Sequence, residues 1–394
     1  MSLTIIYPQR VCLSGNPVEV MIETSTTNVS NHKIHLAISF DNFNTTFVEL
    51  QLQVINGKSI FNISEFLKKE YFNQFNYSDF VNLITQKNIV DTYKIRFWET
   101  YNNNHIIYNS TTSSSFFYIQ AGIDDNLLSY FSSENTNFYS EFISSGKFLT
   151  WQPNNKKVLI SEIDKLYFYS LSNYFVAKLN VIITKQNSVE TKIFSKNLSA
   201  DKIYEINSGP GNILLTELTD NRILYYDIFL TNSTGTKISE TRRYYIDRNF
   251  YNNIKYFIFK NSLGCYDCFK TTGITEVNSN YTSDFVDNAK KVNSTKTTTY
   301  KTNTGHLNYF NSNALDLNNY FDELFLSSEV YLIENNLFKP ITIISDTRKV
   351  SQDNKYLYSF DFEYYTLYNQ KYHSKLTPVI TGDFNKDFNN DFNS

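Results

Sequence analysis

The fold of this chain is decided by the stretch from Arg242 to Gly273, which reads RRYYIDRNFYNNIKYFIFKNSLGCYDCFKTTG. Aromatic and β-branched residues dominate Ile254–Lys260, and this composition predicts a strand. Asn261–Gly264 predicts a tight connection, because Asn and Gly favour turns. Cys265–Lys270 then predicts a return strand. The stretch therefore closes one β domain and opens the next.

Upstream of this stretch, the first unit is expected to cover residues 1–123. A turn signal at Ser14–Pro17 is followed by a run that places Val18, Val20 and Ile22 on one face. Such alternation is typical of a strand with one buried side. Many short strands with frequent turns indicate a sandwich of immunoglobulin-like type. We therefore predict a β-sandwich for this unit.

A second unit, residues 124–247, repeats the strand pattern, with clean alternation over residues 175–183. Its end also echoes the end of the first unit. In both places an aromatic strand is followed by a polar turn, a short strand and a second aromatic strand, so that Tyr244–Ile246 corresponds to Phe116–Ile119. This echo favours a duplicated sandwich. Convergent β patterning is the alternative interpretation.

The third unit, residues 248–376, is expected to be β-rich with one helix. Leu317, Phe321 and Leu324 fall at helical spacing, so Ala314–Ser327 predicts an amphipathic helix. Strands are expected at Val330–Ile333, Ile341–Ile344 and Tyr358–Tyr364, with one more at Lys296–Thr302 inside the polar segment Thr271–Asn308. The predicted fold is therefore mainly β: tandem immunoglobulin-like β-sandwich domains followed by a β-rich α+β C-terminal domain.

The composition narrows the possible functions. The 394 residues carry a net charge of −3 and no basic block, whereas sequence-independent binding of nucleic acid needs clustered Lys and Arg. No apolar run reaches the roughly 18–20 residues that span a bilayer. Met1–Pro8 lacks the charged and apolar regions of a signal peptide. We therefore expect no membrane partner, no specific nucleic-acid binding and synthesis in a cytoplasm without export by that route.

A family resemblance is carried by Phe259–Gly273. The order there is a basic residue, Asn, a small residue, Leu, Gly, a small residue, an aromatic residue and Asp, followed by a strand that ends in Gly. The runs Leu324–Ile333, Pro340–Ile344 and Tyr358–Tyr364 follow in the expected order, and Ser14–Pro17 fits the same group. This pattern resembles virion proteins of tailed phages that infect Bacteroidetes, including crAss-like phages. The rest of the chain matches by architecture alone.

The resemblance implies a non-enzymatic virion structural protein, such as a tail hub, ring or adaptor subunit. Its partners would be copies of itself and other tail or portal-vertex proteins. Its location would be the virion tail, after synthesis in the cytoplasm of the host bacterium. Two alternatives stay open: a module that binds host-surface glycans during attachment, and a capsule depolymerase. A depolymerase needs two placed carboxylates, and no acidic pair stands out, so we predict no catalytic residue.

Cys265 and Cys268 have the spacing of half a zinc site or of a redox pair. A zinc site needs two more ligands, and the remaining Cys and the five His are scattered. A redox pair belongs at a helix N-terminus, while residues three apart on a strand point to opposite faces. His32 and His35 have the same spacing on a strand and are predicted to be polar surface residues. We therefore predict no metal and no cofactor.

The C-terminal tail, residues 377–394, contains the tetrapeptides DFNK, DFNN and DFNS in succession. A period of four is close to one helical turn, so Phe384, Phe388 and Phe392 can lie on one stripe. The tail is either a solvated, disordered segment or a docking peptide that becomes ordered on a neighbouring subunit. Under the second interpretation these three Phe are the candidate docking residues.

Overall fold

The computed structural model describes residues 3–26, 29–44, 48–68, 82–101, 104–214, 222–286, 290–305, 314–334, 337–344, 359–366 and 370–371. Strands dominate these ranges and form five sheets. No helix within them is long and apolar enough to cross a membrane. The candidate docking residues Phe384, Phe388 and Phe392 lie outside the described residues, so their role stays a prediction.

The first unit is a sandwich of two sheets. The strands of this part of the chain are β1 (Leu3–Ile6), β2 (Val11–Leu13), β3 (Glu19–Thr24), β4 (Lys33–Ser39), β5 (Val48–Gln53), β6 (Lys58–Asn62), β7 (Ile84–Lys87), β8 (Val90–Tyr101), β9 (Asn104–Thr112) and β10 (Phe116–Ile119), with a short 3-10 turn at Ser64–Phe66. One sheet has the order β1-β3-β6. The other has the order β2-β10-β8-β4-β5, with β9 on β8, and β10 runs parallel to β2.

The core between these sheets follows from the alternating sequence. Val18, Val20 and Ile22 are buried, while Glu19 and Glu23 are exposed on the opposite side of β3. The facing sheet contributes Ile34, Leu36, Ile38, Tyr93, Ile95, Phe97, Phe116 and Tyr118 to the same cluster. The alternation predicted for this unit is therefore confirmed.

The second unit repeats the topology of the first. A linker with helix α1 (Asp125–Ser133) and a π-helical turn (Tyr139–Ser144) leads to β11 (Lys156–Leu159), β12 (Lys165–Ser170), β13 (Tyr174–Lys185), β14 (Val189–Leu198), β15 (Lys202–Asn207), the short helix α2 (Pro210–Ile213), β16 (Ile223–Thr231) and β17 (Arg242–Asp247). The larger sheet has the order β11-β17-β16-β13-β14. This order matches β2-β10-β8-β4-β5 strand for strand, including the parallel pair β11 and β17. The match supports the predicted duplication.

The smaller sheet of the second unit is completed by a strand from the first. Its order is β12-β15-β7, and β7 pairs antiparallel with β15, with Ile84 opposite Ile206 and Lys87 opposite Ile203. Ile84 is 9% exposed and belongs to the core of the second unit. The chain between β6 and β8 therefore leaves its own sandwich, adds an edge strand to the next one and returns. This pairing joins the two units across residue 123.

The third unit is one antiparallel sheet with a helix on one face. It comprises β18 (Lys255–Lys260), β19 (Tyr266–Thr271), β20 (Thr275–Val286), β21 (Lys290–Asn303), α3 (Ala314–Leu326), β22 (Val330–Glu334), β23 (Leu337–Ile343), β24 (Asp361–Thr366) and β25 (Gln370–Lys371). The strand order is β19-β18-β22-β23-β24-β21-β20, with β25 on β21. Phe257 and Phe259 pack with Phe321 and Leu324 of α3. The chain is thus mainly β, with two tandem immunoglobulin-like sandwiches followed by a β-rich α+β unit.

Candidate functional site

The turn between β18 and β19 is held from inside by one side chain. Asn261 is 3% exposed. Its Oδ1 accepts hydrogen bonds from the backbone N–H groups of Leu263 (3.1 Å) and Cys265 (3.0 Å), and its Nδ2 donates to the carbonyl of Leu149 (3.1 Å). A buried amide with its partners satisfied fixes the loop in one conformation. The Asn of the sequence motif is therefore a structural clamp.

The same turn lies directly against the first unit. Gly264 has a φ of +82°, in the left-handed region that glycine enters at little cost. A Cβ at this position would stand 2.7 Å from Cγ2 of Ile119. The backbone N–H of Gly122 donates to the carbonyl of Ser262 (3.0 Å). Both the backbone angle and the close approach of the first unit therefore require glycine.

Ser262 connects this turn to two further elements. Its hydroxyl accepts a hydrogen bond from Nε1 of Trp151 (2.7 Å), in the second unit. Its backbone N–H and hydroxyl donate to the two carboxylate oxygens of Glu323 on α3, at 2.6 Å and 2.8 Å. Burial raises the pKa of Glu323, and the two bonds from Ser262 oppose that rise. The turn thus contacts all three units, and we call its surroundings the three-unit junction.

Asp267 on β19 is the acidic residue of the motif and lies deep in the junction. Its Oδ1 accepts from the hydroxyl of Thr150 (2.6 Å) and its Oδ2 accepts from Nδ2 of Asn261 (3.1 Å). Burial raises the pKa of Asp267 to about 7, although both hydrogen bonds lower it. The bond from Thr150 ties the second unit to the third through a carboxyl group that titrates near neutral pH.

A buried cluster of four charges fastens β19 to the second unit. Lys156 Nζ lies 2.8 Å from Asp164 Oδ1 and 3.2 Å from Glu162 Oε1, and Lys270 Nζ lies 2.6 Å from Glu162 Oε2. Each of these side chains is at most 5% exposed. Lys156 also donates to the carbonyl of Cys268 (2.9 Å). Charges are stable at this depth only when paired, so the cluster requires residues of both units.

A second buried cluster takes one residue from the donated strand β7. Lys165 Nζ lies 2.7 Å from Glu205 Oε1, and the hydroxyl of Tyr167 donates to Glu205 Oε2 (2.6 Å). Lys87 Nζ, on β7, is 3.4 Å from the same Oε2. Burial lowers the pKa of Lys165, and the Glu205 carboxylate opposes that fall. The donated strand is therefore held by charge as well as by backbone pairing.

Apolar residues of all three units surround these polar groups in a single cluster. They are Val11, Leu13 and Ile119 from the first unit, Phe138, Phe142, Leu149, Tyr167 and Ile203 from the second, and Ile258, Leu263, Cys265, Tyr266 and Cys268 from the third. The junction is therefore a shared core, which closes only when all three units are in place.

The paired carboxylates of the junction are enclosed. Glu162, Asp164 and Glu205 are at most 3% exposed and are bonded to Lys or Tyr side chains. A general acid or base must come within hydrogen-bond reach of a substrate, and these groups are enclosed. An open cavity of about 590 Å³ lies beside the turn, but charges of both signs, Lys260 and Glu323 among them, line it.

The two motif cysteines are free, buried thiols in the same apolar cluster. Burial raises the pKa of both Cys265 and Cys268. The prediction that both cysteines lie on one strand is wrong, because Cys265 lies in the turn before β19 begins. Across the described ranges, no group of three or more His, Cys, Asp or Glu is placed to hold a metal ion.

The prediction that His32 is a surface residue is also wrong. His32 is 8% exposed, and its Nε2 lies 2.8 Å from Oε2 of Glu99, which also accepts from the hydroxyl of Thr24 (2.9 Å). The carboxylate satisfies the ring nitrogen, so the imidazole is tolerated inside. His35 is on the outer face of the same sheet and stacks on Trp98 with ring centroids 5.2 Å apart.

Sequence reasoning missed the charged residues of the junction. Lys270 and Glu162 are 108 positions apart in the chain, and no local pattern connects them. One signal was available in the sequence: the predicted return strand carries Asp267 and Lys270 beside the aromatic residues Tyr266 and Phe269. Charges in a strand of that kind indicate partners elsewhere in the chain.

Comparisons with known proteins add little. No protein-family model matches the sequence, and no curated protein matches it. Among solved structures, the chain is similar to a marsupial T cell receptor, with 10% identity, coverage of 76% of this chain and 96% of that chain, and a TM-score of 0.20. It is also similar to CBD12 from CALX1.2, with 8% identity, coverage of 56% and 76%, and a TM-score of 0.18.

Proposed function

We propose that this chain is a non-enzymatic structural subunit of a virion, assembled through protein–protein contacts into a phage tail as a hub, ring or adaptor. The observation that carries the proposal is the position of the motif residues that resemble phage virion proteins, because these residues lie where the three units meet. Asn261, Gly264 and Asp267 all serve to lock the three units together. The resemblance therefore falls on residues that set the relative orientation of domains.

A frame of fixed domain angles suits a subunit of a closed assembly. In a ring built from head-to-tail contacts, the rotation from each subunit to the next must bring the last subunit back to the first. If it does not, the same contacts build an open helical filament. Here the first and second units share the β7–β15 pairing, and all three share one apolar cluster. Independent domain movement is opposed at each of these contacts.

Two further observations favour this role over the alternatives. A depolymerase needs two reachable carboxylates, and the paired carboxylates of the junction are enclosed. A glycan platform uses exposed aromatic faces, but Trp98 stacks on His35 and Trp151 is bonded to Ser262. Both Trp side chains of the protein are thus already engaged within the chain.

The test uses purified virions. Quantitative mass spectrometry should find the chain at a fixed copy number per particle, and electron microscopy should place its density in the tail. Particles made without the chain should lack that density. A protein absent from purified particles would overturn the proposal. Release of oligosaccharides from capsular polysaccharide, or tight binding to it by the isolated protein, would replace it with one of the alternatives.

The C-terminal repeat gives a narrower test of assembly. If Phe384, Phe388 and Phe392 anchor the tail on a neighbouring subunit, deletion of residues 380–394 should reduce incorporation into particles without changing the unfolding of the isolated protein. Changing the three Phe to Ala should have the same effect, while changing the Asp residues of the repeat to Asn should not. Normal incorporation of the deletion variant would contradict the docking hypothesis.

A further inference from the structure

The strand β20 forms one outer edge of the third unit's sheet. β20 is 12 residues long, and it pairs with β21 on one side. Among the residues that the structure describes, no strand pairs with its other side. Residues 276–281 are exposed on both faces of the strand, with Val277 58% and Tyr281 70% exposed. An edge of this length is a template for pairing with another chain.

Several other edge strands are protected in ways that natural sheets commonly use. β1, β7 and β11 have four residues each. β2, β12 and β19 are buried along their whole length. β14 is long, but it carries Glu190, Lys192 and Lys196. Short length, cover and charge each prevent edge-to-edge association. Over residues 275–281, β20 has one charge, Glu276, and no proline.

The sequence of β20 is self-complementary about its middle. In an antiparallel pair of two copies with Ser279 opposite Ser279, Val277 of each copy lies opposite Tyr281 of the other, and Asn278 lies opposite Asn280. Val and Tyr directly opposite each other are a favourable cross-strand pair. Moving the centre by one residue would put Val277 opposite Ser279 or Ser283 and lose that match. A surface that matches itself in this way is what a two-fold interface requires.

Charge favours the same register. Glu276 of one copy falls opposite position 282 of the other, so the two Glu276 residues stand six positions apart along the pair, roughly 20 Å at the rise of an antiparallel strand. Like charges opposite each other would destabilise the pair, and this register avoids them. We infer that β20 binds β20 of a second copy of this chain, antiparallel and centred on Ser279, so that two sheets join into one.

This inference goes beyond the virion role proposed above, and it is tested on the isolated full-length protein. Analytical ultracentrifugation across the micromolar range should show a monomer–dimer equilibrium. Val277→Lys should weaken it at least about tenfold, because it removes the apolar pair and adds the charge that natural edges use. The matched control is Val189→Lys on β14, at a position 65% exposed, which should leave the equilibrium unchanged.

The register is tested by crosslinking. Ser279→Cys places a thiol opposite its own symmetry mate, where a short bis-maleimide should capture the dimer. Glu276→Cys places the two thiols roughly 20 Å apart and should not crosslink. The native cysteines are buried and should not react. A monomer at all concentrations, equal dimerisation of Val277→Lys and wild type, or equal crosslinking at both positions would each overturn the inference.

Discussion

The two edge strands of the third unit's sheet, β19 and β20, follow one another in the chain and have opposite surroundings. All six residues of β19 are buried, including Asp267 and Lys270. Residues 276–281 of β20 are exposed on both faces. Both strands contain polar and apolar residues, yet the edge at β19 is covered by the second unit and the edge at β20 is exposed. The edge at β19 is therefore protected from pairing with another chain mainly by the parts of the protein that cover it, and less by the composition of the strand itself.

The comparison also separates two uses of polar side chains. On β19, both charged side chains have a specific partner: Glu162 for Lys270 and Thr150 for Asp267. On β20, Asn, Ser and Thr replace them, and water can satisfy their side chains. Loss of one partner should therefore be costly at β19 and cheap at β20. More generally, a substitution at an enclosed position should cost more stability than a matched substitution at a more exposed one.

The largest effect is expected for Lys270→Met. It leaves Glu162 buried with one cation fewer, and breaking a buried pair from one side costs about 3–5 kcal/mol. The matched control is Lys301→Met on β21, which stands opposite Glu363 in the sheet and is half-buried. That loss should be about 1 kcal/mol or less. Chemical denaturation measures both losses. Equal losses would contradict the claim that the buried charges at β19 depend on their partners more than half-buried charges do.

A smaller effect is expected for Gly264→Ala, which tests how closely the first unit approaches the turn. Gly235 also has a positive φ, but a Cβ there meets nothing within 4 Å. Gly235→Ala should therefore cost about 1–2 kcal/mol for the backbone angle alone. Gly264→Ala should cost about 1–2 kcal/mol more, because the added methyl overpacks against Ile119. Equal losses of unfolding free energy for the two variants would show that Ile119 moves aside for the added methyl group at no measurable cost.

The third effect is a pH dependence of stability at Asp267. Its pKa rises from an ordinary 3.8 to about 7 on folding, so between these values the folded protein keeps a proton that the unfolded chain has released. Below the unfolded pKa of 3.8, the protonated carboxyl makes its full contribution to the stability of the fold. This contribution is lost as the pH rises through the folded pKa of about 7. The slope is at most about 1.4 kcal/mol per pH unit.

Asp267→Asn retains a neutral group of the same shape and removes this titration. The difference in unfolding free energy, wild type minus variant, should fall from about pH 4 to about pH 7 and then level off. Asp125→Asn, at an exposed position on α1, is the control and should show no such trend. A difference that rises with pH across this window would mean that the carboxylate form is the stabilised one.

The smallest effect is expected for Val277→Thr on β20. At a position 58% exposed, the change should alter stability by no more than about 0.5 kcal/mol. The same substitution at Val330 of β22, which is 6% exposed, buries a hydroxyl group and should cost about 1–3 kcal/mol. Thermal or urea unfolding of the two variants gives the comparison. A large loss of stability for Val277→Thr would mean that the Val277 side chain is buried and not exposed.

The parts of the fold that sequence predicts well are those with local patterns. Residues with period two, such as Val18, Val20 and Ile22, define strands with one buried face. Helical spacing predicts residues 314–327, and α3 covers Ala314–Leu326. In both cases the element buries one face, so apolar residues recur at the spacing of that face. This periodicity is visible in the local sequence whatever the face packs against.

The parts that sequence misses depend on distant partners. β7 is four residues long and becomes a strand by joining the sheet of another unit. Glu99 explains the burial of His32 from 67 positions away. β20 contains mostly Thr, Asn and Ser over its first half, so its composition indicates a loop, while β21 opposite it makes it a strand. Only the assembled sheet supplies the missing information in each case.

The donated strand β7 has a consequence for how the protein is made. Residues 84–87 leave the ribosome well before β15 at residues 202–207, so the first sandwich must fold while keeping this strand available. A fragment that starts at residue 124 would lack it, leave the edge of β15 open and deprive Glu205 of Lys87. Any recombination that exchanges the second sandwich for another must therefore carry residues 84–87 along with it.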